Sequence, residues 1–359
     1  SLVRVHFIIG RSGSGASPDI DRATLEREVS AIIRTWTDGL ARALELVNPP
    51  EKAREIFNLY RDAFSEGFHE AYAPIVAAGD IRVVEGLSEQ RPLGVDFHHR
   101  LEEEQRSVGL KVWSFARPLP LSERVPVLEN MGFRVVDERT YHIAPQGEAG
   151  AWLHDMLLER ADGGMIDLDS TKGRLEAAFL MVMRGIAEND GYNALTLQGG
   201  LAWRDVALVR AISRFLRQIR VPYSQDYMWA TLVKHAGIAA DIVELFHARF
   251  DPRADPARRA EQGAIVARIE EHLQKVESLD EDRILRHFVN AVQSAIRTNF
   301  FQTEKDGQLK PVISIKFESR KLTDLPLPRP LFEIFVYSPR VEGVHMRFGK
   351  VARGGIRWS

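Results

Sequence analysis

The chain has 359 residues, 45% of them apolar, which is longer than a single hydrophobic core usually grows and predicts several packed units. Forty-eight Lys and Arg against 50 Asp and Glu leave a formal charge of −2, and this balance removes the whole-chain electrostatic case for a nucleic-acid or anionic-membrane partner. No cysteine means no disulfide framework, no thiolate metal site and no cysteine nucleophile, a composition suited to a reducing compartment.

In chain order, Val3, Val5, Phe7 and Ile9 alternate with Arg4, His6 and Ile8 as in a half-buried strand, which stops at Gly10. A strand needs partners, so these are expected to precede Ser1, and the chain reads as beginning inside a larger protein. The longest apolar stretch, Ala177 to Met183, falls far short of the roughly 20 residues that span a bilayer. From Asp21 the period becomes helical: Leu25, Val29, Ile32, Ile33, Trp36 and Leu40 share one face of a long helix that Asn48-Pro49-Pro50 ends. A second helix carries Ile56, Leu59, Tyr60, Ala63 and Phe64, and the polar run Phe97 to Arg106 closes this region.

The next stretch reads strand (Leu110–Phe115), helix (Leu121–Met131), strand (Phe133–Ile143), strand (Trp152–Glu159) and helix (Asp169–Glu188), a ferredoxin-like β-α-β-β-α unit. Gly132 stands where a helix C-cap belongs, and Gly147 and Gly150 mark the turn between the paired strands. Residues from about 166 to 300 are read as helical, with stripes Val206-Val209-Ile212-Leu216-Ile219, Ile265-Ile269-Leu273-Val276 and Ile284-Phe288-Val292-Ile296. Ser278 and Glu281 have capping-box spacing between the last two. Strand periodicity returns at Val312–Phe317, Phe332–Tyr337 and Val344–Phe348, with Pro326, Pro328 and Pro330 as a stiff connector. The expected class is α+β: residues 1–20 a tail strand plus loop, 21–106 helical, 107–165 the α/β unit, 166–305 helical, 306–359 β-rich.

Few motifs carry chemistry. The loop Gly10 to Ser17 has its outer glycines at phosphate-loop spacing but puts Ala16 where the phosphate-binding Lys belongs, and no glycine three residues beyond Gly15 completes a dinucleotide fingerprint. The eleven histidines include no His-Glu-x-x-His, and His98 and His99 are adjacent, so no metal site is expected. No Gly-x-Ser-x-Gly elbow is present. Arg210, Arg214 and Arg217 line one helix face, with Arg204 and Arg220 at its ends. Lacking interleaved aromatics, they are expected to form a solvated face, open to subunit contact, or a salt-bridged contact with another domain. In Arg353-Gly354-Gly355-Ile356-Arg357, two glycines that let backbone approach a ligand lie between two guanidinium groups suited to carboxylates.

The run Leu327 to Lys350, continuing through Arg353 to Ser359, resembles the entry to the catalytic region of the large bacterial NAD-specific glutamate dehydrogenases. Arg34-Thr35-Trp36 with Asp38, Pro222 to Tyr227, Leu245 to Pro252 and Arg297 to Gln302 are similar to the same family in the same order. The resemblance implies that the α/β unit is an ACT-like module and Leu2 to Gly10 the tail of the one before. Amino-acid-binding ACT domains typically have a glycine in the turn after their first strand. Here that turn is Arg117-Pro118-Leu119-Pro120, which favours packing over ligand binding, with amino-acid sensing as the alternative role.

It also implies oxidative deamination of L-glutamate to 2-oxoglutarate and ammonia with NAD, in a cytoplasmic homo-oligomer without metal, membrane or nucleic-acid partner. The family's Lys-Gly-Gly-x-Arg substrate segment matches Arg353 to Arg357 with Arg in first place, so Arg353, Gly354, Gly355 and Arg357 are the expected substrate-binding residues. The catalytic lysine, the aspartate and the NAD domain are expected beyond Ser359. These 359 residues alone are therefore expected to be inactive and to hold no NAD.

Overall fold

The structure, a computed structural model, describes residues 21–32, 35–99, 106–349 and 355–358; the expected strand and loop of residues 1–20 lie outside these. Helices come first: α1 (Arg22–Ile32), α2 (Trp36–Val47), α3 (Pro50–Tyr60), α4 (Glu66–Ala71) and α5 (Pro74–Val84). The single long helix expected from Asp21 is instead two. Thr35 is extended, and its hydroxyl accepts from the Asp38 amide while the Asp38 carboxylate accepts from the Thr35 amide, both at 3.1 Å. Such a reciprocal capping box satisfies the free amides of a helix start, so α2 begins there.

The chain divides into two compact units, one reaching Arg82 and including Ala144–Glu148, the other comprising Val83–Ile143 and Ala149 onward. In the first, Leu40, Leu44, Ile56, Tyr60 and Phe68 are buried, Trp36 donates its indole N–H to the Tyr72 carbonyl at 2.8 Å, and its ring stacks on His69 at 3.9 Å.

The second unit opens with β1 (Leu93–His98), β2 (Ser107–Phe115), α6 (Leu121–Asn130), β3 (Phe133–Ile143), β4 (Ala151–Arg160) and α7 (Leu168–Met183). The strands form an antiparallel sheet of order β1-β2-β4-β3. β1 lies in a stretch read from sequence as the end of a helical region. Leu93, Val95 and Phe97 alternate with Gly94, Asp96 and His98, so the signal was present. β1 reaches, from the N-terminal side, the edge that the last strand of a ferredoxin-like unit normally fills. Glu176 of α7 accepts the Phe97 amide at 3.1 Å and so blunts that edge. One face of the sheet packs Val108, Leu110, Val112, Met156 and Leu158 on Val127 and Leu128 of α6 and Leu175 and Phe179 of α7. Gly132, after α6, has φ +88°, a conformation open to glycine.

After a short 3₁₀ turn (Gly191–Ala194) come α8 (Leu195–Gln198), α9 (Trp203–Gln218), α10 (Gln225–Lys234), α11 (Ala236–Phe250), α12 (Pro256–Ala260), α13 (Gln262–Leu273) and α14 (Leu279–Ser294). The Ser278 hydroxyl caps α14 as read from sequence, but the box is not reciprocal: the Glu281 carboxylate instead takes Lys234 at 2.8 Å and His235 at 2.9 Å. α14 also stops before Ile296, whose place in the third stripe gives way to an edge strand paired with β6. That sheet is a meander of β5 (Ala295–Thr298), β6 (Ile313–Glu318), β7 (Phe332–Ser338), β8 (Val341–Arg347) and β9 (Ile356–Trp358), antiparallel throughout. One core joins it to the helices: Phe215 of α9 stacks on Phe317 of β6 at 4.1 Å and lies 5.6 Å from Phe335 of β7.

Candidate functional site

Of the four expected substrate-binding residues, Arg353 and Gly354 lie outside the described residues, as does the side chain of Arg357. Gly355 is exposed and enters β9, its carbonyl accepting the Met346 amide at 2.8 Å. A Cβ at Gly355 would lie 3.0 Å from the Met346 methyl, the far end of a flexible side chain. The register then sets Ile356 opposite His345 and Arg357 opposite Val344. Nearby, Arg220, Pro326, Leu327, Pro328, Pro330, Glu333, Met346 and Phe348 line a cleft of about 240 Å³.

β8, the strand against which this segment pairs, is anchored by the arginine stripe of α9. Arg217 donates to Glu342 of β8 at 3.0 Å, and Arg214 lies 3.8 Å from the same carboxylate while donating to Glu188 at 2.8 Å. Arg210 is fully buried. It grips Asp190 with two nitrogens at 2.7 and 2.8 Å and donates to the Asn193 side-chain amide oxygen, Oδ1, at 2.7 Å. Burial works against the Arg210 charge, but the hydrogen bonds and charge of Asp190 outweigh it and hold the pKa above the ordinary value, so the cation is permanent. Burial drives the Tyr337 phenol, on neighbouring β7, upward and keeps it neutral.

Of the two readings of this stripe, the ion-paired contact is the one found. At Arg210 and Arg214 it follows from α9 lying beside the sheet and the 3₁₀ turn, which both supply carboxylates, while Arg217 keeps 45% of its side chain exposed. Glu342, 125 residues from Arg217, carries no local signal of this role. Glu188 and Asp190 both lie just before the glycine-led 3₁₀ turn, with Asp190 as its N-cap. Tyr223 and Trp229 pack against the helical core while Tyr227 is exposed, and Gly191 makes room for Trp229, whose indole nitrogen would lie 2.6 Å from an added Cβ.

In the ACT-like sheet, the turn after β2 is filled from within. His154 of β4 is buried, and its Nε2 accepts the Leu119 amide at 3.1 Å. That bond assigns the ring proton to Nδ1, which faces the Thr140 hydroxyl at 3.1 Å and Glu138 at 3.4 Å. Arg124 of α6, also buried, donates to Glu138. Burial, then the Arg124 charge, push the imidazole down to about 4 against the pull of Glu138. Pro118 and Pro120 have no amide to offer, so His154 takes an amide that the turn would otherwise present to a ligand.

Among the described residues, no group of three or more His, Asp or Glu is placed to hold a metal, and no helix is long and apolar enough to cross a membrane. The described sheets pair antiparallel only, whereas a dinucleotide crevice of the doubly wound kind is built on parallel strands.

Four family models match the chain: the catalytic domain of bacterial NAD-glutamate dehydrogenase over residues 268–359, and glutamate dehydrogenase helical motif 3 over 187–252, ACT3 domain over 92–171 and helical motif 2 over 44–87. The NAD-specific glutamate dehydrogenase of Pseudomonas aeruginosa is 40% identical over 367 residues, that of Halomonas elongata 37% over 361, and that of Mycobacterium tuberculosis 34% over 373. These matches cover 99–100% of this chain and 22–23% of each relative, so the chain spans less than a quarter of the length of the curated relatives it matches. Matches to consecutive parts of one enzyme, in chain order and over nearly every residue, leave a single assignment: the chain belongs to the family of bacterial NAD-specific glutamate dehydrogenases.

Proposed function

We propose that the complete protein oxidatively deaminates L-glutamate to 2-oxoglutarate and ammonia with NAD as hydride acceptor, as a cytoplasmic homo-oligomer, and that this chain joins its assembly half to its catalytic half. The observation that carries this reading is the match of residues 268–359 to the catalytic-domain model, a span that includes Arg353-Gly354-Gly355-Ile356-Arg357. In this reading Arg353 holds the distal carboxylate of glutamate by a bidentate contact, Gly354 and Gly355 admit the substrate, and Arg357 adds a second positive charge. NAD binds elsewhere in the complete protein, a placement supported by the antiparallel pairing of the described sheets. The ACT-like unit packs and does not sense amino acids, a role supported by His154 filling its own turn.

The test is steady-state kinetics of the complete protein. Glutamate-dependent NADH formation is expected, and Arg353→Ala is expected to raise the glutamate KM at least ~10-fold, the loss of about 1.4 kcal/mol of binding. A complete protein without glutamate-dependent NADH formation would overturn the activity, and an unchanged KM would overturn the role of Arg353.

A further inference from the structure

The sheet β5–β9 is covered on one face only among the described residues. Its inner face buries Ile313, Ile315, Phe317, Phe335, Tyr337 and Val344 in the core with α9 and α14. Side chains alternate along a strand and cross-strand partners share a face, so Phe332, Ile334 and Val336 of β7 stand on the other side. One register row runs across the whole sheet there: Arg297, Lys316, Ile334, His345 and Ile356.

Two features of this outer face do not suit water. First, β7 reads Phe-Glu-Ile-Phe-Val-Tyr, apolar on both sides apart from Glu333, which is how a strand covered on both faces is written; a half-solvated antiparallel strand alternates apolar with polar. Yet Phe332, Ile334 and Val336 are only half-buried, and Ile356 is 55% exposed. Second, the apolar strip has a cationic border. Lys316 stands over the Phe332 ring, its Nζ 4.0 Å from the ring centre, and exposed Arg297 lies opposite it in the register. The acid on this face, Glu318, is paired with Lys321 at 2.8 Å.

We propose that this face seats an amphipathic helix with acidic flanks, supplied by the part of the complete protein that this chain does not include. A helix is the element that covers a sheet face, whereas an added strand would need an edge. Phe332 to Val336 spans about 13 Å at a strand rise of ~3.3 Å per residue, a footprint for roughly two and a half helical turns. The border sets the sign: acids along the helix flanks meet Arg297 and Lys316, and the helix stripe covers Ile334, Val336 and Ile356. The source follows from length, since the chain accounts for 22% of its relatives. The inference rests on the reading above only in requiring that a longer protein exists.

The chain has no cysteine, so Val336→Cys places a single thiol in it, and Ile356→Cys places one at a second, more exposed point. Each variant is labelled with a maleimide in the 359-residue chain and in the complete protein, with the modified peptide quantified by mass spectrometry. Labelling at both positions is expected to be at least ~10-fold slower in the complete protein, the effect of about 1.4 kcal/mol of docking. Adding Arg297→Glu and Lys316→Glu is expected to recover most of that rate in the complete protein while leaving the short chain unchanged. Equal rates in the two proteins would overturn the proposal, as would protection of the short chain that grows with its own concentration, which marks a second copy as the occupant. The readout is independent of turnover: a complete protein inactive on glutamate would sink the proposed function and leave this result standing.

Discussion

Among the described residues three arginines are buried, Arg124, Arg204 and Arg210, and two of them, Arg210 and Arg124, serve opposite ends. Arg210, between α9 and the 3₁₀ turn, meets Asp190 through two nitrogens and Asn193 through a further bond, so its charge is matched in place. Arg124, beneath the ACT-like sheet, has Glu138 on one side and a neutral imidazole, His154, close by. The Arg210 cation persists at any pH the protein meets. The second network contains a group that burial keeps neutral and that acid can charge. A buried ion pair thus tells little by itself; the neighbour that completes or competes with it decides whether it acts as a fixed clamp or a titratable one.

The largest effect expected from this contrast is at Arg210. Arg210→Ala strands the largely buried Asp190 carboxylate without its cation and is expected to cost roughly 3–5 kcal/mol, read as a shift of the denaturant midpoint at constant slope. A loss below about 1 kcal/mol would show that water or Arg214 takes over the clamp.

Next comes the pH dependence set by His154. Its folded-state pKa, about 4, lies below the ordinary histidine value, so between pH 6.5 and 4 the unfolded chain binds the extra proton. Stability conferred by the neutral ring is therefore complete above pH 6.5 and declines as pH falls toward 4. At about 1.4 kcal/mol per unit of depression the decline amounts to roughly 3–4 kcal/mol. Urea unfolding of His154→Gln should lack this part of the acid slope. An identical slope in the variant would assign the acid sensitivity to other groups.

The smallest effect separates the ends of the arginine ladder. The Arg217 side chain is 45% exposed, so its bond to Glu342 competes with water, and Arg217→Ala should cost no more than about 1 kcal/mol. A loss matching that of Arg210→Ala would erase the distinction between a buried clamp and a surface one.

The elements and the family were legible in the chain, and most relationships between elements were not. β3 begins and ends at Phe133 and Ile143 as its alternation predicts, and Ser278 caps α14 as its spacing predicts. Both features follow from a few consecutive residues. β1 was misplaced despite its alternation, because six residues of period two carry little weight beside a long helical reading. The long helix from Asp21 was split by a box, Thr35 with Asp38, that is itself local and visible. At the candidate site, the sequence motif named four residues, and the structure adds the hydrogen bond from the Met346 amide to the Gly355 carbonyl and the register of β9.

The sequence by itself determined the α+β class, the helix and strand periods, the near-neutral charge and the run of motifs that assigns the family. Each depends on residue identity over short spans or on order along the chain. Only the tertiary structure decided which arginines of one stripe are buried, that Glu342 answers Arg217 across 125 residues, and that His154 takes the Leu119 amide. It also decided that one face of the last sheet is left apolar and open among the described residues. Those outcomes depend on which surfaces meet after folding, and the electrostatic worth of a side chain is set by the burial and partners it finds there.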